Sequence, residues 1–175
     1  YVIEGAVEES AGPKQVSIDE ALNAMPVADL VAAGEKAFAK CQSCHTVTQG
    51  GANGVGPNLY GVMGANVANH AGFAYSGDLK ALGGQWDWEK MDAWLKNPKG
   101  LVAGTKMSFA GLSKVEDRAA IAAYLNTLGS NLPLPAYTPE AEAPAEAAAV
   151  EGDLDAEAEA VADAEAGTDP EAAVE

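Results

Sequence analysis

The chain has 175 residues, enough for one ordinary domain with sequence to spare, and no run approaches the ~18 apolar residues of a membrane-spanning helix. Its 26 acidic and 10 basic residues give a net charge of −16, unevenly placed: Thr138 to Glu175 holds 13 acidic residues and no basic one, while Asp29 to Gly129 is near neutral at +1. The low pI therefore belongs to one end of the chain, and nothing in the remainder calls for a nucleic-acid partner.

Residues 1–28 are rich in glycine, proline and scattered charge and read as a linker. One short helix is expected there, over Ser17 to Met25, with Ser17 and Glu20 at capping-box spacing. No signal-peptide apolar region is present. The folded domain is expected over 29–137. Its first helix runs from Val31 to Cys44, with Gly34, Phe38 and Cys41 on neighbouring faces.

That helix ends in Cys41-Gln42-Ser43-Cys44-His45, the C-x-x-C-H pattern of covalent haem attachment. One helical turn between the cysteines lets both sulfurs reach two vinyl groups on one porphyrin edge. The next residue, His45, then brings an imidazole beneath the iron as an axial ligand. Its other ring nitrogen needs an acceptor to hold the ring in orientation. The chain contains no other cysteine. Three competing readings are weaker. A thioredoxin-type pair opens a helix after a strand, and no strand-like alternation precedes Cys41. A structural zinc site wants two more good ligands, and only His45 and His70 remain. A plain disulfide leaves His45 unexplained.

Glycine-rich loops follow, over Gly50 to Pro57 and Gly100 to Gly111. Between them lie a short helix at Ser76 to Leu82, stopped by Gly83-Gly84, and a helix at Trp88 to Asn97, ended by Pro98. Met91, Trp94 and Leu95 form the apolar stripe of the second. The last helix spans Val115 to Leu128, with Ser113 as N-cap and Glu116 completing a capping box. Loops of this length in a small domain wrap something, and a haem would supply the apolar body that the side chains lack. Met107, in the second loop, is the candidate sixth ligand. Met25 lies in the linker, and Met63 and Met91 sit in regular apolar contexts. Residues 138–175, acidic, alanine-rich and without an aromatic residue, are expected to be a disordered tail.

Taken in order, Gly34 and Phe38, the Cys41 to His45 motif, Gly56-Pro57-Asn58-Leu59, Gly72-Phe73-Ala74-Tyr75, Trp86, Asn97-Pro98-Lys99, Gly104-Thr105-Lys106-Met107 and Tyr124-Leu125 carry a family likeness. The chain resembles the class I c-type cytochromes, and among them the membrane-anchored monohaem cytochromes c of alphaproteobacteria. The likeness covers about Val31 to Leu128. It implies an all-α class I cytochrome c fold, with three main helices, short helices and glycine-rich loops wrapped around one covalent haem c. Cys41 and Cys44 would attach the haem, and His45 and Met107 would ligate its iron. The Pro57 carbonyl would accept the free N–H of His45, and Asn58 and Leu59 would line the pocket. Tyr75 and Trp86 would donate to a haem propionate, a costly charge to bury alone. Trp94 would stand near the methionine side. Lys40, Lys99 and Lys106 map to the rim of the exposed haem edge, as docking lysines. One departure is Ala65, where the mitochondrial-type pattern carries an arginine near the propionate; His70 is the candidate to replace it.

The implied function is carriage of single electrons, not enzymatic conversion of a substrate, and no nucleophile or general base is evident. The implied donor is a quinol-oxidising cytochrome complex. The implied acceptor is a terminal oxidase or a photosynthetic reaction centre, each docked transiently. Cysteine-linked haem is attached outside the bacterial cytoplasm, which implies the periplasm, and the likeness places a membrane anchor ahead of Tyr1. Two rival roles share the motif. One is an electron-input subunit of a larger redox enzyme, the other a haem-based ligand sensor in which Met107 yields to a small gas.

Overall fold

The Ser17 hydroxyl accepts the backbone N–H of Glu20 at 3.1 Å and opens the first helix, α1 (Ile18–Asn23). The computed structural model describes residues 16–136; residues 1–15 of the expected linker and the expected tail over 138–175 lie outside them. Ile18, Ala21 and Leu22 are buried, so this short helix belongs to the core and the linker expectation fails for residues 18–22. The reason is a distant partner, because α1 packs on the last described helix, Val115–Thr127.

Pro26 sets the backbone at the start of α2 (Val27–Ala37), which tightens into one 3-10 turn over Phe38–Lys40. The first main helix therefore begins earlier and ends sooner than the expected 31–44. Its buried stripe is Leu30, Gly34 and Phe38, four residues apart, and Leu30 precedes the expected start. The backbone N–H groups of Cys44 and His45 both donate to the Cys41 carbonyl, at 3.1 and 3.0 Å. The cysteine pair thus spans one turn, separate from the helix before it.

Ser76 caps α3 (Gly77–Leu82), and Gly83, with φ of 62°, ends it. Asp87 caps α4 (Trp88–Lys96) by accepting the Lys90 N–H at 2.7 Å. Pro98 stops α4 and opens α5 (Pro98–Leu101), a single turn partly inside the segment expected to be loop, with the Asn97 side chain as its cap. The last helix, α6 (Val115–Thr127), lacks the expected capping box. Its N-cap is Lys114, with no side-chain bond, and the Ser113 carbonyl is held instead by Arg118 Nη1 at 2.8 Å.

The main packing is α2 against α6, where Gly34 lies directly beneath the Ala120 carbonyl and the Phe38 and Tyr124 rings meet at 5.5 Å. Residues 130–136 then strap the far side. The Trp88 indole donates to the Pro133 carbonyl at 2.9 Å, Asn126 bonds the Leu132 backbone in both directions, and Asn23 donates to Pro135 at 3.0 Å. Among the described residues there is no strand, only one isolated antiparallel bridge between Asn66 and Gln85. The helices form one wall, and the long loops, with little secondary structure of their own, enclose what the helices leave open.

Candidate haem site

The loops and helices surround a cavity of about 470 Å³, within the range that holds a large cofactor. Its walls are mostly apolar, with Phe38 from the first turn, Met91, Trp94 and Leu95 from α4, and Ile121 and Leu125 from α6. Cys41 and Cys44 stand at one edge, half-buried, with both thiols free. Burial pushes the Cys41 thiol up; neighbouring Lys40 opposes that and Cys44 adds to it. No disulfide joins the pair. Among the described residues no group of three His, Cys, Asp or Glu side chains could hold a metal ion.

His45 follows the cysteine turn into the same cavity. Its Nδ1–H donates to the Pro57 carbonyl at 2.7 Å, which leaves Nε2 as the free coordinating nitrogen. Burial lowers its pKa, with the Pro57 bond acting the other way, so the neutral ring that a metal requires is favoured. The ring rests on Gly56, where a Cβ would lie 2.7 Å from Nδ1 and closer still to Cε1. Only glycine leaves room for the imidazole at that point.

Asn58 fixes the loop that carries Pro57. It is buried, and its amide nitrogen donates to Thr46 Oγ1 at 2.7 Å and to the Thr48 carbonyl at 2.9 Å. Its oxygen accepts the Tyr60 N–H at 3.0 Å, and its own N–H donates to Asn53 Oδ1 at 2.9 Å. Leu59 borders the cavity and bonds the Thr46 carbonyl through its backbone at 2.8 Å. These two residues hold a loop as well as line a pocket.

Met107 reaches the cavity from the loop after α5, and its N–H is held by Thr105 Oγ1 at 3.1 Å. Lys106 spans to the Ala74 carbonyl at 2.9 Å and so joins the methionine loop to the loop before α3. Tyr75, Trp86 and Trp94 line the same cavity, the two tryptophan rings tilted at 54° with centroids 5.5 Å apart. Burial raises the Tyr75 pKa, partly offset by the His70 backbone beside its hydroxyl. Ala65 and His70 also border the cavity.

Of the three lysines expected at the rim, Lys40 and Lys106 border the cavity and Lys99 does not; Lys99 is exposed on α5. The sequence reading missed the Lys106 latch and the buried pair of Arg118 and Asp92 behind the methionine loop. A side-chain bond to a backbone carbonyl has no sequence signature. The residues present fit a haem: an apolar slot, two thiols one turn apart at its edge, an oriented neutral imidazole, and a thioether reaching the same slot.

Comparison with known proteins agrees. The family model described as Cytochrome c matches residues 31–129. A protein named cytochrome c homolog, from Bradyrhizobium diazoefficiens, is 42% identical over 137 residues, which cover 74% of each chain. A cytochrome c2 from Afifella marina is 41% identical over 118 residues, 63% of this chain and 95% of that one. The solved structure of cytochrome cH from Methylobacterium extorquens superposes with a TM-score of 0.52 at 47% identity, over 55% of this chain and 97% of that one. With the family's pattern matched over more than half its length and the attachment turn in place at the cavity edge, this chain belongs to the cytochrome c family, as a class I c-type cytochrome with one covalently bound haem c.

Proposed function

We propose that this chain shuttles single electrons from a quinol-oxidising cytochrome complex to a terminal oxidase or a photosynthetic reaction centre, with His45 and Met107 as the two axial ligands. The observation that carries the reading is that His45 and Met107, 62 positions apart in sequence, border one apolar cavity together with both cysteines. The haem supplies the one-electron couple. The chain supplies everything that makes the couple usable. His45, oriented through Pro57, and Met107, held through Thr105 and Lys106, would fill both axial positions in either oxidation state, so little atomic rearrangement accompanies the electron. The Met/His pair also favours a raised reduction potential. Phe38, Leu95 and Ile121 keep water away. Tyr75 and Trp86 are the donors proposed for a propionate, with Trp94 packed against Trp86.

The same proposal places the protein in the periplasm, tethered to the inner membrane. No helix among the described residues is long and apolar enough to cross a membrane.

Absorption spectra with and without carbon monoxide test the ligands. The oxidised protein should show the weak long-wavelength band of methionine–iron ligation, and the reduced protein should not respond to the gas. Met107→Ala should abolish the band and open the iron to carbon monoxide. A wild-type protein without the band that takes up the gas readily would defeat the carrier reading in favour of a ligand-binding one.

Docking is proposed through Lys40, Lys99 and Lys106. The domain between Asp29 and Gly129 carries only +1, so local lysines rather than overall charge must steer an encounter. Replacing Lys40 and Lys99 by glutamate, which leaves the Lys106 bond on the methionine loop intact, should slow electron delivery about tenfold or more at low ionic strength, within the range of electrostatic steering, and salt should narrow the gap. Stopped-flow mixing with a reduced donor complex reads the rate. Lys40→Glu alone should account for more of the loss than Lys99→Glu, because only the former borders the cavity. Rates that match wild type at low salt would remove the lysines from docking.

A further inference from the structure

Arg118 is the chain's only arginine, and it is 4% exposed within α6. A guanidinium buried this deeply is costly unless its donors are matched. Here they are. Nε donates to Asp92 Oδ1 on α4 at 2.6 Å, and Nη1 donates to the carbonyls of Leu112 at 2.9 Å and Ser113 at 2.8 Å. Two of these three bonds thus go to the backbone where the methionine loop returns to α6. Charge-assisted bonds of this kind are the stronger ones, and a planar fork holds several acceptors in fixed directions, as a lysine ammonium does not.

The peptide groups of Leu112 are held from two sides. Its carbonyl is taken by Arg118, and its N–H donates to the Leu95 carbonyl of α4 at 2.8 Å. Just before it, Gly111 takes a φ of 98° and passes so close to the Lys96 carbonyl that no side chain would fit. Met107 stands five residues before Leu112. On its other flank the loop is tied by the Thr105 N–H to the Val102 carbonyl at 3.1 Å, by Thr105 Oγ1 to the Met107 N–H and by the exposed Lys106 bond to Ala74. The buried charged side chain that anchors the loop is therefore on the Arg118 side.

We propose that Arg118, oriented by Asp92, is a positioning residue for Met107: by clamping the Leu112 and Ser113 carbonyls it fixes the return of the loop and keeps the thioether in the cavity. This rests on Met107 being the second axial ligand. Without the clamp, two carbonyls would lose charged donors, and the loop could lift while α2, α4, α6 and the His45 side stay in place. The clamp thus separates retention of methionine from retention of the fold.

The test uses haem-loaded Arg118→Lys, with Asp92→Asn as the milder variant that keeps every guanidinium donor. The methionine–iron band and far-UV circular dichroism are followed together through a guanidinium chloride titration, and the reduced proteins are exposed to carbon monoxide in buffer. In wild type the band should persist until the helices melt. In Arg118→Lys the band should vanish well before the helices do. Its reduced form should bind carbon monoxide at least about tenfold more tightly than wild type, because a charged hydrogen bond no longer holds the loop. Asp92→Asn should show the same separation to a smaller degree, and it supplies the reading if Arg118→Lys does not fold. Coincident loss of band and helix in the variants, with the carbon monoxide response unchanged, would leave Arg118 a stability element and overturn the proposal. A wild type that itself lacks the band and binds the gas freely would overturn the Met107 reading, and the clamp with it.

Discussion

A chain in which Cys41 and Cys44 are both replaced by alanine is expected to retain no haem after extraction with acid and organic solvent, and to lose most of its helical signal once extracted. The first half follows from the chemistry, since these are the only two thiols and no other side chain can form the thioethers. The second half follows from the cavity. At ~24 cal/mol per Å³, a rigid void of about 470 Å³ would cost roughly 11 kcal/mol, an upper figure because this cavity opens to solvent. Half of that already matches the lower end of the stability of an ordinary domain, ~5–15 kcal/mol. Phe38, Trp94, Leu95, Ile121 and Leu125 line the cavity and are also the core that α2, α4 and α6 share. They cannot face water in the cavity and hold the helices together. Haem staining after denaturing electrophoresis reads the first half, and circular dichroism of the extracted chain reads the second. An extracted variant with native helicity and a sharp melting transition would show that the side chains close this core without the haem.

Where the sequence was a good guide, the determinant was local or chemically specific. The span of α3 and the end of α4 follow from Ser76, Gly83 and Pro98, which act within one or two residues of the boundary they set. The attachment turn is legible because two thiols and an imidazole at fixed spacing serve one chemistry. Longer-range determinants were hidden. Ile18, Ala21 and Leu22 offer too little apolar signal to mark a core helix, and their burial depends on α6, about a hundred residues later. The capping box at Ser113 has the right residues but loses to Arg118, which takes the Ser113 carbonyl and sets the backbone there. The pairing of Arg118 with Asp92 joins residues 26 positions apart, and neither position alone is unusual for a surface helix. Lys99 shows the limit of likeness: the resemblance maps it to the haem edge, yet it does not border the cavity that Lys40 and Lys106 border.

Gly34→Val should be among the most damaging substitutions outside the attachment turn, with a melting temperature lowered by about 10 °C or more. Two effects oppose each other at this position. Removing a mid-helix glycine favours α2 by roughly 0.5–1 kcal/mol if the replacement is alanine, and by less for β-branched valine. Against it stands the packing. A Cβ on Gly34 would overlap the Ala120 carbonyl oxygen, lie 2.5 Å from the Ala120 carbonyl carbon and 2.8 Å from Tyr124 Cβ. Those atoms are mid-helix backbone and a first side-chain atom, so neither can rotate away. Either α2 and α6 separate, or α6 distorts. Overpacking of this kind costs typically ~1–3 kcal/mol or more, and in a domain of this size each kcal/mol moves the midpoint by roughly 3–6 °C. The damage extends to the site, because α2 runs through Phe38 into the cysteine turn, and a shifted α2 carries Cys41 and Cys44 away from the cavity wall that α6 provides. Haem incorporation during expression should fall along with stability. Gly77→Ala is the matched control: it lies in the first turn of α3 with nothing within 4 Å of its Cβ position, and should be neutral or slightly stabilising. Equal midpoints for the two variants would mean that the approach of α2 to α6 is not the tight contact on which the cavity is built.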